Sequence, residues 1–261
     1  MSPKERRKTL VVANWKANPD SAKEAREIFA GVKKVAGKFK NVEVVICPSF
    51  IHLAELRKAR GTSSLALGAQ DFFFEPHGAF TGSVGYEALL DTNIKYAIVG
   101  HSERRAAGED NEIISKKVLA AIANRVLPIL CVGEPTRDEN LGYLSFLKGQ
   151  LVDAFYKVPK SKVTSVVIAY EPVWAIGKSA KRNATSAEIK EIVIFIKRVI
   201  GDLYKTKSVP PIKIIYGGSV NAKDAAEILS EGGVDGLLVG HASLNAKTFG
   251  EILKIADETK R

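Results

Sequence analysis

The sequence has few cysteines and no long hydrophobic segment. Its two cysteines, Cys47 and Cys131, lie in separate apolar runs without neighbouring metal ligands, which indicates buried thiols rather than a disulfide framework or a metal site. No apolar run approaches the roughly 20 residues that a membrane-spanning helix needs. The first residues are not followed by a signal-peptide core. We therefore expect a soluble, cytoplasmic protein with no membrane span.

Two further features are missing. No Pro/Ser-rich linker divides the 261 residues, which predicts a single domain over residues 1–261. The glycine fingerprint of a dinucleotide-binding fold does not follow the first strand-like run, where Asn14-Trp15-Lys16 stands instead. This absence argues against a doubly wound open sheet, the competing α/β architecture.

The charge balance is basic, with 39 Lys and Arg residues against 29 Asp and Glu residues and a formal net charge of +10. A basic surface attracts anionic substrates, and nucleic acid is the other class of partner that it favours. The basic residues occur as pairs such as Lys116-Lys117, without interleaved aromatic residues or a nucleic-acid motif. We therefore expect a solvated surface and no nucleic-acid partner.

Strand-like and helix-like segments alternate along the whole chain. The apolar runs that predict strands are residues 9–13, 42–47, 65–69, 96–99, 127–132, 166–169, 213–216 and 236–239. The segments that predict helices are residues 21–39, 51–59, 86–90, 111–124, 141–156, 187–204, 222–230 and 247–256, with Ser49 as the expected N-cap of the second. Eight strand–helix units in about 250 residues predict an α/β fold of the (β/α)₈ TIM-barrel type, with eight parallel strands.

The segment 165–177 combines a buried strand with a polar end. Its apolar run lacks polar alternation, as expected of a strand buried on both faces of a parallel sheet. Glu171 follows the run and is a candidate base, although a helix cap or a salt-bridge partner is the simpler interpretation of this residue alone. The apolar residues after it predict a lid, with a packed loop as the alternative. The lid residues are Pro172, Val173, Trp174, Ala175 and Ile176.

Polar residues follow several of the predicted strands. Asn14 and Lys16 follow the first, His101 and Glu103 follow the fourth, and Glu171 follows the sixth. Because the C-terminal ends of all barrel strands meet at one rim, these side chains are expected to converge. Each residue alone has a structural explanation, but the set together indicates an active site.

Glycine-containing turns predict a phosphate site at the same rim. Gly177 ends the lid, Gly217-Gly218-Ser219 follows the seventh strand, and Gly240-His241 follows the eighth. Backbone N–H groups in such turns, beside helix N-termini, bind dianionic phosphate. Taken singly, each of these glycines is also explained by an ordinary turn that binds no phosphate.

Taken in order, the motifs resemble the triosephosphate isomerase family, and the resemblance extends from residue 14 to residue 244. The segments that carry it are Asn14-Trp15-Lys16 and residues 68–70, 78–82, 100–105, 131–134, 170–177, 216–220 and 239–244. It implies interconversion of dihydroxyacetone phosphate and glyceraldehyde 3-phosphate through an enediol(ate), without a cofactor or a metal.

The resemblance also implies roles for single residues. Glu171 would be the base, and His101 would polarise the carbonyl as a neutral imidazole, a property already established for this family. Lys16 would balance the phosphate and the developing oxyanion, Asn14 would orient the substrate, and Glu103 matches a family carboxylate near the lysine. The residues implied to hold the phosphate, mainly through main-chain N–H groups, are Gly177, Ser219, Gly240 and His241.

A homodimer is implied as well. Residues 71–81, with phenylalanines at 72–74, resemble the segment by which one family subunit docks beside its partner's active site. Three exposed aromatic residues would be unfavourable on a monomer, although packing against their own barrel is the alternative. The expected dimer contacts are Gln70, Thr81 and Arg104.

The sequence departs from the family pattern in three places. After Gly177 the family usually continues with Thr-Gly-Lys, whereas this sequence continues with Lys178-Ser179-Ala180-Lys181-Arg182-Asn183 and is slightly longer. His241 replaces a glycine in the eighth loop. Ser83 replaces a glutamate that pairs with arginine across the dimer interface, so Arg104 needs another partner.

The same barrel pattern is shared by proteins with two other kinds of function. Another phosphate-binding barrel enzyme acting on a sugar phosphate, such as an epimerase or aldolase, would need a metal cluster, paired acids or a mid-barrel lysine, and none of these patterns is evident. A non-catalytic binding protein on the same scaffold would be favoured by the loss of Glu171 or His101, and both residues are present.

Overall fold

A computed structural model describes residues 8–177, 180, 182–206 and 210–259, and its strands form a closed barrel in chain order. Neighbouring strands are parallel, and the first strand pairs with both the second and the eighth. The strands are β1 (Thr9–Asn14), β2 (Val42–Cys47), β3 (Ala66–Ala69), β4 (Tyr96–Val99), β5 (Leu127–Val132), β6 (Val167–Tyr170), β7 (Lys213–Tyr216) and β8 (Gly236–Val239). The predicted single-domain (β/α)₈ barrel is confirmed.

Helices surround the barrel. Those in the described residues are α1 (Ala22–Ala36), α2 (Phe50–Arg60), α3 (Tyr86–Asp91), α4 (Ser102–Ala106), α5 (Asn111–Ala123), α6 (Gly142–Phe155), α7 (Ser186–Leu203), α8 (Ala222–Glu231) and α9 (Ala246–Glu258). Side-chain caps define several starts, as at Ser21 before α1 and Asp110 before α5. None of the helices in this part of the chain has both the length and the apolar character to cross a bilayer.

Side chains of the strands alternate between two apolar layers. Leu10 and Val12 of β1 belong to the cluster that fills the barrel, whereas Val11 and Ala13 belong to the layer shared with the helices. This alternation explains why the strand sequences are apolar without a polar face. The continuous core fixes the strand ends, and therefore the side chains that follow them, at one rim.

Both cysteines lie inside the barrel. Cys47 and Cys131 are buried and unpaired, as predicted. Burial raises the pKa of both thiols well above the usual range, and for Cys131 the nearby Glu171 carboxylate acts in the same direction. The two thiols are therefore uncharged members of the core.

The structure adds local detail to these predictions. Ser49 is the N-cap residue of α2, as predicted, but its side chain makes no cap hydrogen bond and donates instead to the carbonyl oxygen of Lys16 at 3.0 Å. A 3₁₀ helix, Lys160–Ser165, was not predicted, and β6 begins one residue later than expected because this turn takes up the preceding residues.

Candidate active site

A cleft of about 290 Å³ opens at the C-terminal rim of the barrel. Its lining includes residues from the loops after β1, β4, β6, β7 and β8. The predicted site residues that it brings together are Asn14, Lys16, His101, Glu171, Gly177, Ser219, Gly240 and His241. The lid residue Ile176 also lines the cleft, beside Gly177. The cleft is large enough for a molecule the size of a triose phosphate.

Glu171 points into the barrel rim and is held there by two contacts. Its side chain is 2% exposed, and its Oε2 accepts a hydrogen bond of 3.1 Å from the backbone N–H of Ser102. Its Oε1 lies 3.3 Å from Nε2 of His101. The Ser102 contact was not predicted from the sequence, because it comes from a free N–H group in the first turn of α4.

Two glycines leave room for this glutamate. A Cβ atom on Gly133 would lie 1.7 Å from the Glu171 carbonyl oxygen, and a Cβ on Gly217 would lie 2.9 Å from Glu171 Cγ. Both positions therefore require glycine for steric reasons, although φ is not positive at either one. The glycine after β7, predicted to serve phosphate binding, also makes space for the carboxylate.

His101 occupies the N-cap position of α4, which begins at Ser102. Its Nδ1 accepts a hydrogen bond of 3.2 Å from the backbone N–H of Glu103. A nitrogen that accepts this bond carries no proton, so the proton of the neutral ring lies on Nε2. The imidazole therefore presents an N–H donor towards the cleft and Glu171.

Lys16 has a strained backbone, with φ of 54° in the left-handed region. Asn14 Oδ1 accepts from its N–H at 3.0 Å, and Gln70 Nε2 donates to its carbonyl oxygen at 2.9 Å. Its ammonium group pairs with Glu103. Asn14 and Gln70 thus fix the orientation of the lysine, together with the hydroxyl of Ser49. Gln70 was expected only as a dimer contact, and its amide group serves this chain's own rim.

The end of the cleft that was predicted to bind phosphate is lined by glycine-containing turns and by His241. Gly177 has φ of 77°, which favours glycine, and a Cβ on Gly218 would lie 2.1 Å from the Tyr216 hydroxyl. His241 opens the 3₁₀ helix His241–Leu244, and its φ is not positive. A non-glycine residue is therefore accommodated without strain, and its exposed imidazole lies at the mouth of the cleft.

The segment predicted to be a lid, residues 172–176, contains an anchored indole. Val173–Ala175 forms a 3₁₀ turn, and Trp174 Nε1 donates to Glu134 Oε1 at 2.7 Å. The Tyr170 hydroxyl donates to the same oxygen at 2.9 Å. Burial raises the pKa of Glu134 despite these hydrogen bonds. Within residues 178–183, where the sequence departs from the family, Lys178, Ser179 and Lys181 lie outside the described residues.

A buried charge cluster lies behind the loop that follows β3. Lys117 is 3% exposed and pairs with both Asp71 and Glu109. Arg104 Nε lies 3.0 Å from Asp71 Oδ2, so this arginine has a partner within its own chain. Among the phenylalanines at 72–74, Phe72 is buried in its own barrel core. Dimer contacts at Gln70, Thr81 and Arg104 stay predictions.

The fold and the rim site together define the class of the protein. A closed (β/α)₈ barrel that gathers a carboxylate, an imidazole, a lysine and glycine-rich turns at its C-terminal rim is a barrel enzyme with its polar residues where such enzymes place their active sites. A comparison with protein-family sequence models identifies the family to which this enzyme belongs. The sequence model for triosephosphate isomerase matches residues 9–256, and the chain belongs to the triosephosphate isomerase family.

Individual relatives agree with this membership. A triosephosphate isomerase from Moorella thermoacetica is 38% identical over 249 residues, covering 95% of this chain and 98% of the relative. One from Dehalococcoides mccartyi is 37% identical over 257 residues, covering 98% of this chain and 100% of the relative. One from Alkaliphilus oremlandii is 40% identical over 245 residues, covering 93% of this chain and 97% of the relative.

Proposed function

We propose that the chain is a triose-phosphate isomerase that interconverts dihydroxyacetone phosphate and glyceraldehyde 3-phosphate. The observation that carries this proposal is the 3.3 Å approach of Glu171 Oε1 to His101 Nε2 at the rim cleft. A carboxylate and an N–H donor at that separation can act on one small substrate, the first on a carbon-bound proton and the second on the adjacent oxygen. Family membership identifies the substrate class.

In this mechanism Glu171 removes the proton from the carbon next to the carbonyl and returns it to the neighbouring carbon. Its carboxylate now contacts His101 and the Ser102 N–H, so a bound substrate has to take the place of the first contact. The imidazole Nε2–H then donates to the substrate oxygen, where negative charge develops. A neutral ring suits this role because its Nε2–H is a hydrogen-bond donor aimed at that oxygen while Nδ1 is held by the Glu103 N–H.

Lys16 supplies the positive charge in the same cleft. Its strained backbone is held by Asn14 and Gln70, which keeps the ammonium group near the substrate even though the side chain is 34% exposed. Glu103 pairs with this ammonium group and limits its movement. We assign Lys16 to stabilising the phosphate and the enediolate oxygen, and Asn14 to orienting both the lysine and the substrate.

The main-chain N–H groups near Gly177, Ser219, Gly240 and His241 are assigned to the phosphate. Closure of the lid over them would exclude water from the enediol(ate), which can otherwise lose its phosphate. We further propose a cytoplasmic homodimer in which residues 71–81 form the contact. The exposed Phe80, whose ring centroid lies 4.4 Å from that of Phe73, is the contact expected to become buried.

The test of this function is a coupled assay that follows conversion of glyceraldehyde 3-phosphate to dihydroxyacetone phosphate in the presence of a chelator. We expect rapid turnover without added metal. Absence of turnover by pure, folded protein would refute the isomerase. Chelator-sensitive activity on another sugar phosphate would favour the alternative barrel enzyme, and tight ligand binding without turnover would favour the binding protein.

A further inference from the structure

One arginine outside the cleft joins the lid to the helix that follows it. The guanidinium carbon of Arg182 lies 4.7 Å from the centroid of the Trp174 ring, within the range of a cation–π interaction. Its Nη1 and Nη2 also donate to the two oxygens of Glu188 at 2.8 and 2.7 Å. A single side chain therefore contacts both the beginning of the lid and the first turn of α7.

Both partners of this arginine are themselves fixed. Glu188 belongs to a capping box, in which its carboxylate accepts from the Thr185 N–H at 2.8 Å and its own N–H donates to the Thr185 hydroxyl at 3.2 Å. Trp174 is fixed by its hydrogen bond to Glu134. Because each end is anchored, Arg182 restrains the lid relative to the barrel.

A second arginine shares these partners. The Arg137 guanidinium carbon lies 5.9 Å from the Trp174 ring centroid, and its Nη1 lies 3.4 Å from Glu188 Oε1. The Arg137 side chain is 14% exposed, whereas the Arg182 side chain is 54% exposed. The less exposed arginine, Arg137, is thus packed among its neighbours, and the exposed Arg182 can be replaced without opening a cavity.

We propose that Arg182 is a positioning residue for the lid, acting jointly through Trp174 and Glu188 to hold Ile176 and Gly177 at the phosphate end of the cleft. This inference rests on the proposed isomerase function. Arg182 lies in the segment where the sequence departs from the family pattern. The contact would compensate for a longer connection between the lid and α7.

The consequence is a specific side reaction. When the lid is loosely held, water reaches the enediolate more often. The enediolate electron pair then forms a new carbonyl group, the double bond shifts, and the carbon–oxygen bond to the phosphate breaks with its electron pair. The products are inorganic phosphate and the enol of methylglyoxal. Phosphate released per isomerisation therefore measures how well the lid is held, which a change in stability alone would not alter.

The experiment compares wild type with Arg182→Ala and Arg182→Lys. We expect the alanine variant to release roughly 3- to 10-fold more phosphate per turnover, the range that corresponds to loss of a cation–π contact and an exposed ion pair. In the lysine variant phosphate release should fall between those of wild type and the alanine variant, since lysine lacks the planar fork that binds Glu188 through two nitrogens. Acrylamide quenching of tryptophan fluorescence should increase in the alanine variant, because Trp15 is fully buried and Trp174 is the accessible indole.

Two further variants make the result specific. Glu188→Gln keeps an oxygen for the Thr185 cap but removes the ion pairs to Arg182 and Arg137, and in this background Arg182→Ala should have a smaller effect than in wild type if Arg182 and Glu188 act together. Arg198→Ala removes an arginine of α7 whose side chain is 81% exposed, and it should change neither readout.

The proposal is overturned if wild type isomerises the substrate while Arg182→Ala leaves phosphate release and quenching unchanged, whatever happens to its melting temperature. It is also overturned if Arg198→Ala has the same effect. Absence of isomerisation in wild type would refute the proposed function instead, and unchanged quenching in Arg182→Ala would then still contradict the contact itself.

Discussion

Replacing Glu171 by glutamine tests the assignment of the base. The side chain keeps its size, but an amide cannot remove a proton from carbon. Two donors face the carboxylate, the Ser102 N–H at 3.1 Å and His101 Nε2 at 3.3 Å. The single amide oxygen can accept from only one of them, so its NH₂ group is left facing the other donor.

These contacts determine the size of two separate effects. Loss of a positioned general base lowers turnover by about 10² to 10⁴-fold. That range corresponds to about 2.7 to 5.4 kcal/mol of transition-state stabilisation. The buried donor that loses its acceptor costs about 1 to 3 kcal/mol of folding stability, because it faces neither water nor an oxygen.

The assay measures kcat and KM below the melting temperature, together with binding of a phosphorylated inhibitor that cannot isomerise. We expect kcat to fall by orders of magnitude while the inhibitor still binds, since the phosphate contacts are elsewhere in the cleft. Glu251→Gln, at an exposed position of α9, is the matched control and should behave as wild type. Near-normal turnover of Glu171→Gln would refute the assignment of this residue as the base.

The remaining predictions concern the phosphate loop, the buried charges and the lid. Replacing His241 by glycine should change inhibitor affinity by less than about threefold, or 0.6 kcal/mol, because the main-chain N–H is kept; a large loss in calorimetry would mean that the imidazole participates. Lys117→Met should lower the free energy of unfolding by about 3 to 5 kcal/mol in urea titrations, since it leaves two buried carboxylates uncompensated, whereas Lys116→Met, at an exposed position, should cost less than about 1 kcal/mol. Hydrogen bonds from Arg182 lower the pKa of Glu188 from 4.5 to about 2, so this carboxylate stabilises the fold above pH 4.5 and the contribution is lost as the pH falls towards 2. A Glu188 pKa near 4.5 in an NMR titration of the wild type would contradict this ion pair.

The barrel could be predicted because its causes are local. Uninterrupted apolar runs such as residues 236–239 are typical of strands buried on both faces, and the segments between them have helical spacing. Closure follows from eight such units in one chain. The ends of elements were predicted less exactly, since residues 160–165 form a 3₁₀ helix that no periodicity indicates.

The composition of the rim could also be predicted, because polar residues that directly follow strands must lie where the strands end. Asn14, His101 and Glu171 are of this kind, and all of them line the cleft. The sequence did not indicate what holds them. Ser102 contributes only a backbone N–H, and Gln70 reaches the loop after β1 from another strand end.

The sequence by itself therefore determined the eight strand–helix units, the family and the types of side chain at the rim, because each depends on neighbouring residues in the chain. Only the tertiary structure decided which groups touch. The contact of Glu171 with His101 and the stacking of Arg182 on Trp174 depend on loops brought together by barrel closure. No local pattern specifies such distances, since they result from the packing of the whole core.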